Sequence, residues 1–334
     1  MKKIIIIVAM FIVTGCDDSV SSNDNSENTS WTFVANEGAF GSSNGSVSMI
    51  DDFGNVYETE ALGDVVQSLE VYNDKLIVLV NNSHKIKIFD ITPEGLSMPG
   101  IEVDTEGSSP RELLVLNDKV YFTNWNTQDV KVFNLFNYVV ESSISVDGLP
   151  EDIMFDGTDL WVTITMNSDW SSASSICRID MNTNSVVETI EVGDGPQNLI
   201  QHDGDIYVSR TFYDASWNAF HGSTKVGTEN IINNYGSGVV CGGSVLSYNG
   251  SVYRSHNGGI SPLDENLDIN ESGRIGNYNQ DEVYHVEVFD GNILFGIRDL
   301  SNGPGMVKVV DSNGDEISEY TVGINPGDFA FWSQ

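Results

Sequence analysis

Basic side chains are scarce in this chain: 15 Lys and Arg stand against 49 Asp and Glu in 334 residues, a formal charge of −34. A field of that sign repels phosphate backbones and anionic lipid headgroups, so nucleic acid and acidic membrane surfaces are excluded as natural ligands. Cysteine is equally sparse, with Cys16, Cys177 and Cys241 only, too few for a disulfide framework. The five histidines (His84, His202, His221, His256, His285) are scattered, and no HExxH, CxxC or phosphate-binding glycine loop occurs, so no resident metal or cofactor is expected. The longest apolar run, Ile4 to Val13, falls short of the ~20 residues a bilayer-spanning helix needs. A helical period is also missing. Gly41-Ser42-Ser43-Asn44-Gly45 spells G-x-S-x-G, but it lies in a loop between strands, without the strand-turn-helix context a nucleophile elbow requires. Asp311, Asn313 and Asp315 alternate like the start of a calcium loop yet lack its glycine and distal glutamate, and read as a hairpin turn.

What is present begins at the amino terminus. Lys2 and Lys3, the apolar run and then Val13-Thr14-Gly15-Cys16 have the form of a bacterial lipoprotein signal over residues 1–15. Cleavage would leave Cys16 as the lipidated terminus, and losing Lys2 and Lys3 would take the charge from −34 to −36. Residues 16–30 are almost all Asp, Asn, Ser and Glu, a composition unable to bury enough surface to offset its ordering entropy, and read as a tether. The protein is thus expected outside the cytoplasm, held on a membrane by its lipid alone.

From Trp31 a strand-turn-strand unit recurs. Tyr72-Asn73-Asp74-Lys75-Leu76-Ile77-Val78 is followed by Leu116-Asn117-Asp118-Lys119-Val120-Tyr121-Phe122 and His202-Asp203-Gly204-Asp205-Ile206-Tyr207-Val208. Further copies lie at Tyr248-Asn249-Gly250-Ser251-Val252-Tyr253 and Phe289-Asp290-Gly291-Asn292-Ile293-Leu294-Phe295, with a variant from Phe155 to Val162. Asn-Gly and Asp-Gly pairs between alternating apolar residues specify two-residue hairpins. The strand position after the turn falls at Leu76, Val120, Leu160, Ile206, Val252 and Ile293, a period of about 40 to 46 residues that indicates propeller blades of four strands. Third strands end in Asp90, Asn134, Asp180 or Asp311, each read as a turn cap. Pro110, Pro150 and Pro196 open first strands, and Pro326 opens another just before the chain stops at Gln334. Thr32-Phe33-Val34-Ala35-Asn36 matches the second strand Val120-Tyr121-Phe122-Thr123-Asn124, so the two ends of the chain should share one blade and close the ring without an open edge. The expected fold is all-β, a seven-bladed propeller over residues 31–334. Cys177 and Cys241 then lie two blades apart, which argues for two buried thiols rather than a bridge.

Tyr121-Phe122-Thr123-Asn124 and the stretch from Ile179 to Gly193 resemble the YVTN repeat of YncE-like propellers. Asn36-Glu37-Gly38-Ala39-Phe40-Gly41, with Asn44-Gly45-Ser46 and Ser108-Ser109-Pro110-Arg111, resembles surface lipoproteins of the Bacteroidetes, a group that includes the BtuG-type cobalamin-binding partners of TonB-dependent transporters. The likeness weakens between Phe212 and Asn234, where an insertion into blade 5 is expected. It implies a lipoprotein on the outer membrane, exposed at the cell surface, that binds cobalamin or a related corrinoid for nutrient uptake and passes it to a TonB-dependent outer-membrane transporter.

In a propeller, loops from second to third strands and the starts of first strands emerge on one face. Those segments carry Asn36, Phe40, Asn82, His84, Arg111, Asn124, Trp125, Trp170, Arg210, Tyr213, Trp217, His256 and Arg298. Aromatic rings, guanidiniums and amides are the surface a small polar ligand uses, so these are the candidate ligand-binding residues and no catalytic residue is assigned. Two other readings remain open: a hydrolase or lyase acting on a sugar or lactone through Glu37, Glu112, Glu151, Asp152 or Asp299, and a protein-binding scaffold.

Overall fold

The computed structural model describes residues 29–238 and 244–334. The signal segment, Cys16, nearly all of the tether and Cys241 lie outside them. Among the described residues there is no α-helix, only one turn of 3-10 helix at Glu271–Gly273. Every other element is a strand, and the strands form seven small antiparallel sheets. The chain is a seven-bladed β-propeller.

Local sequence explains the hairpins. Asn117 and Asp118 both take left-handed dihedrals (φ 51° and 61°), as do Asn249 and Gly250 (φ 47° and 73°) and Asp290 and Gly291 (φ 48° and 75°). That conformation matches the twist of the flanking strands and is cheap only for Gly, Asn and Asp. Third-strand ends are capped as expected: the Asn134 side chain accepts from the Phe136 N–H at 2.7 Å, Asp180 from Asn182 at 2.7 Å and Asp311 from Asn313 at 2.8 Å.

The first strands line the central channel. In order they are Val66–Tyr72 (blade 2), Pro110–Leu116 (blade 3), Leu149–Phe155 (blade 4), Pro196–His202 (blade 5), Val245–Tyr248 (blade 6), Val283–Phe289 (blade 7) and Pro326–Ser333 (blade 1), and each touches the next around a closed circle. Closure occurs in blade 1, where the carboxy-terminal strand Pro326–Ser333 pairs with the amino-terminal strand Ser30–Asn36, Thr32 opposite Phe331 and Val34 opposite Phe329. Two blades depart from four plain strands. Blade 6 has three, its outer edge replaced by an irregular stretch bridged at Ile260 and Ile275. Blade 2 adds a short strand, Gly95–Leu96, that pairs with the end of the third strand Lys85–Thr92, beyond the stretch paired with the outer strand Ile101–Asp104. The expected insertion in blade 5 is a lengthened hairpin, with Asp205–Tyr213 paired to Ala219–Val226 along its whole length and only Asp214–Asn218 left as a turn.

The core lies between blades rather than within them. Six buried apolar clusters each join two neighbours, such as Phe89 and Trp332 between blades 1 and 2 and Val162 and Val132 between blades 3 and 4. Among the described residues the interface between blades 5 and 6 is polar instead. On the second strands the position facing this core is Val34, Val78, Phe122, Val162, Val208 and Phe295 in six blades and Arg254 in blade 6. Arg254 is fully buried and donates to the Gly222 carbonyl at 2.6 Å, to Ser223 Oγ and to the Arg210 carbonyl. Cys177 is a buried free thiol on the third strand of blade 4, its ionisation pushed up to about 12 by burial, as expected of an inert core cysteine.

Candidate functional site

Six of the seven first strands shift register just after their opening residue. Pairing with the second strand breaks between Pro110 and Leu113, Pro150 and Ile153, and Pro196 and Leu199, leaving two residues unpaired in each bulge. Proline suits the first position because it has no ladder N–H to give, and a bulge re-aims the side chains it carries. A buried hydroxyl on the second strand takes up the stranded N–H: Glu112 N–H donates to Thr123 at 3.0 Å, Asp152 to Thr163 at 2.8 Å, Asn198 to Ser209 at 3.1 Å and Ser244 to Ser255 at 3.0 Å. Thr123 and Thr163 pass the bond on to the next blade, donating to the Glu151 and Gln197 carbonyls at 2.6 Å each.

The bulges build two tiers in the channel. The residue after the strand-opening position, Gln67, Arg111 and Tyr284, lies toward the loop face, where a cavity of about 500 Å³ opens. Glu37, Phe40, Asn81, Asn82, Trp125 and Trp170 from the loops complete it. Arg111 is locked in place: its Nε and Nη2 donate to Glu151 at 3.0 and 2.6 Å, its Nη1 to Gln67 at 2.8 Å, and the guanidinium lies 4.4 Å from the Trp125 ring centre. Burial opposes its charge, but the Glu151 carboxylate outweighs that and holds Arg111 protonated. Trp170 packs edge-on against Trp125 at 5.9 Å. On the other wall Tyr284 donates to Glu37 at 2.6 Å, with Arg298 5.3 Å from the tyrosine ring. Burial pushes the Glu37 carboxyl up, partly offset by that hydrogen bond, and the Tyr284 phenol is raised by burial and by Glu37.

The deeper tier consists of the next residues, Glu112, Asp152, Asn198, His285 and Asp328, with Glu70 and Glu287 below, around a second cavity of about 380 Å³. Burial raises these carboxyls, Glu70 to about 8, Asp328 to about 7 and Asp152 to about 6, and holds Glu112 well above the usual range, with Asp328 and Asp152 repelling its charge. Several also latch blades together: Asp328 accepts from Leu69 N–H at 2.7 Å, Asp152 from Leu199 at 2.8 Å and Glu70 from Val115 at 2.9 Å.

Of the residues expected on this face, Phe40, Asn82, Arg111, Trp125 and Trp170 share the mouth. Tyr213 and Trp217 flank an adjoining groove of about 410 Å³ that Trp170 also lines. Trp170 and Trp217, 54% and 68% exposed, end similar turns from Asn167 and Asp214 and both adopt left-handed backbone (φ 68° and 61°). For a bulky residue that costs about 1–2 kcal/mol, a strain of the kind found at functional sites. His84 supports the rim, its Nδ1 accepting from Ser109 N–H at 3.1 Å, and Arg298 borders it through Tyr284.

Four expectations are corrected. Asn36 and Asn124 are fully buried and bind the framework, Asn36 through Ser46 and Ser48, Asn124 through the Phe122 carbonyl. Arg210 is buried too; it belongs to a strand rather than a loop, and its guanidinium serves the Asp194 and Asn233 carbonyls and Asn234. His256 is occupied by Glu271 at 2.5 Å on the 3-10 turn. Among the alternative carboxylates, Glu37 lines the mouth and Glu112 and Asp152 the deeper cavity, Glu151 is paired with Arg111, and Asp299 caps its own turn through Ser301. Sequence reasoning missed Tyr284, His285, Glu287 and Asp328. The signal for Asp328 was available: it stands two residues after Pro326, as Glu112 and Asp152 follow Pro110 and Pro150. Blade 7 has no such proline, so its channel residues carried no marker.

A larger cleft of about 660 Å³ on the opposite face, between blades 1 and 2, offers Trp31, Met49, Phe53 and Tyr57. Two of its acids serve their own surroundings, Asp51 accepting from Phe53 and Asn55 N–H and Asp52 from Ser30 N–H.

Comparison with solved structures supports the fold. The chain is similar to a candidate 6-phosphogluconolactonase from Bacteroides fragilis (15% identity, 91% of this chain and 98% of that one, TM-score 0.62). It is also similar to a protein from Lactobacillus plantarum (11%, 91% and 99%, TM-score 0.64) and to AztD from Citrobacter koseri (12%, 92% and 98%, TM-score 0.55). At such identities the likeness concerns the fold alone. No curated protein sequence matches the chain. Residues 30–216, more than half of it, match a family model described as Domain of unknown function (DUF5074), and the protein belongs to that family.

Proposed function

We propose that this is an exported lipoprotein, anchored through Cys16 at the cell surface, that captures a small nutrient at the loop-side mouth of its channel and delivers it to a TonB-dependent outer-membrane transporter. The observation that carries the binding role is the wall of Trp125 and Trp170 against the fixed Arg111 guanidinium, facing Glu37, Asn81 and Asn82 across about 500 Å³. A flat apolar surface beside directional donors and acceptors suits a ligand with ring edges and amides, and the groove at Tyr213 and Trp217 extends that surface. Cobalamin or a related corrinoid, the ligand the resemblance implies, has that chemistry. Titration of protein lacking residues 1–16 with cyanocobalamin, followed by calorimetry, tests the assignment. One-to-one binding, lost in Trp125→Ala/Trp170→Ala protein of unchanged stability, is the expected result; absence of binding by the unaltered protein rejects the corrinoid.

Glu37 at the mouth, with Glu112 and Asp152 in the deeper cavity, favours one second reading, a hydrolase or lyase of a sugar or lactone, and the lactonase name of one structural neighbour is compatible with it. Buried carboxyls with raised ionisation are the groups such chemistry uses as acids. Turnover of a panel of sugar lactones, abolished in Glu37→Gln, would replace the binding reading.

A further inference from the structure

We propose that His285, Glu287 and Asp328 bind one divalent transition-metal cation inside the channel, across the seam where the ring closes. His285 and Glu287 lie two residues apart on the first strand of blade 7, on the same side of it by the two-residue period of a strand. Asp328 comes from the carboxy-terminal strand beside it, in blade 1. One donor atom from each falls within 4.8 Å of the others.

His285 Nε2 is buried and makes no hydrogen bond, although it stands 3.6 Å from Glu287 Oε2 and 3.9 Å from Asp328 Oδ1. Those separations are too long for hydrogen bonds. They approach the edges of a coordination polyhedron: bonds of about 2.1 Å meeting at about 90–120° place two donors roughly 3.0–3.6 Å apart. The surrounding cavity adds three further acidic side chains, Glu70, Glu112 and Asp152, and among the described residues no Lys or Arg lines it. One imidazole with two carboxylates selects borderline cations such as Zn²⁺, Mn²⁺ or Fe²⁺ over Ca²⁺ and Mg²⁺, which prefer all-oxygen sites. Three ligands also leave a position open toward the channel. Because its ligands come from the first strands of blades 7 and 1, the cation would tie the closing strand to its neighbour and raise stability by mass action.

The test is Zn²⁺ titration of the chelator-stripped protein in a millimolar excess of Mg²⁺, which occupies exposed carboxylates. Binding of one Zn²⁺ per chain is expected, with a rise in melting temperature. His285→Gln and Glu287→Gln should each weaken it by about tenfold or more and abolish the thermal shift. These variants leave intact the Leu69 and Phe329 backbone bonds that Asp328 holds. Co²⁺ supplies a second readout, since a visible ligand-field spectrum should form in the unaltered protein and change in His285→Gln. No saturable Zn²⁺ binding, or equal binding by both variants, overturns the proposal. Neither result depends on cyanocobalamin, so it stands or falls apart from the nutrient-binding reading.

Discussion

Replacing Thr163 by valine isolates the device that aims the channel residues. Thr163 is fully buried on the second strand of blade 4, and valine reproduces its shape while removing only the hydroxyl. That hydroxyl accepts from Asp152 N–H at 2.8 Å and donates to the Gln197 carbonyl of blade 5 at 2.6 Å. The substitution therefore leaves one donor and one acceptor without a partner. Each buried, unsatisfied group costs about 1–3 kcal/mol, so the loss should be about 2–5 kcal/mol, reduced toward the lower end where channel water reaches either atom. For a domain of this size 3 kcal/mol corresponds to a fall in melting temperature of about 5 °C. Urea denaturation followed by tryptophan fluorescence measures it, with Thr163→Ser as control. Serine keeps both bonds and gives up one methyl group, at about 1 kcal/mol. Valine should be clearly worse than serine. If valine is within 0.5 kcal/mol of the unaltered protein, or better than serine, the hydroxyl does not hold the bulge and the account of how Glu151 and Asp152 are aimed is refuted.

Stability should fall as pH rises from about 5 to 8. Glu70, Asp152 and Asp328 have folded-state values raised by burial to about 8, 6 and 7, above their unfolded values, so the native state binds more protons throughout that window. Their contribution is complete below about pH 4 and is lost as pH passes through the folded values. His285, also raised despite its burial because of Glu287 and Asp328, acts in the same direction. Melting temperatures that climb between pH 5 and pH 8 would contradict this. Arg254→Ala should destabilise by about 3–5 kcal/mol, because it orphans the buried Gly222 and Arg210 carbonyls and opens a cavity at the polar interface of blades 5 and 6. Equilibrium unfolding reads the loss, and a cost below 1 kcal/mol would show that the guanidinium is dispensable there.

The repeating architecture was legible in the chain because it rests on local rules. Asn-Asp, Asn-Gly and Asp-Gly turns dictate hairpins, and the strand alternation around Leu76, Val120, Ile206, Val252 and Ile293 dictates which faces are buried. The match of Thr32–Asn36 to Val120–Asn124 showed that the chain ends complete one another. The repeat alignment puts Arg254 with the loop-face residues, whereas it is buried and bonded to Gly222 and Arg210 of the neighbouring blade, partners that no local pattern names. The site depended on tertiary structure. The same alignment that places Asn36, Asn124 and Arg210 near the loop face cannot say that their side chains turn inward to backbone and hydroxyl partners. Glu37 and Tyr284 meet across 247 positions of sequence, and Arg111 reaches Gln67 and Glu151 only because bulges in three separate blades turn those side chains to one axis. Periodicity along a strand reports which face a residue occupies; convergence on the channel is set by ring closure, which no local pattern encodes.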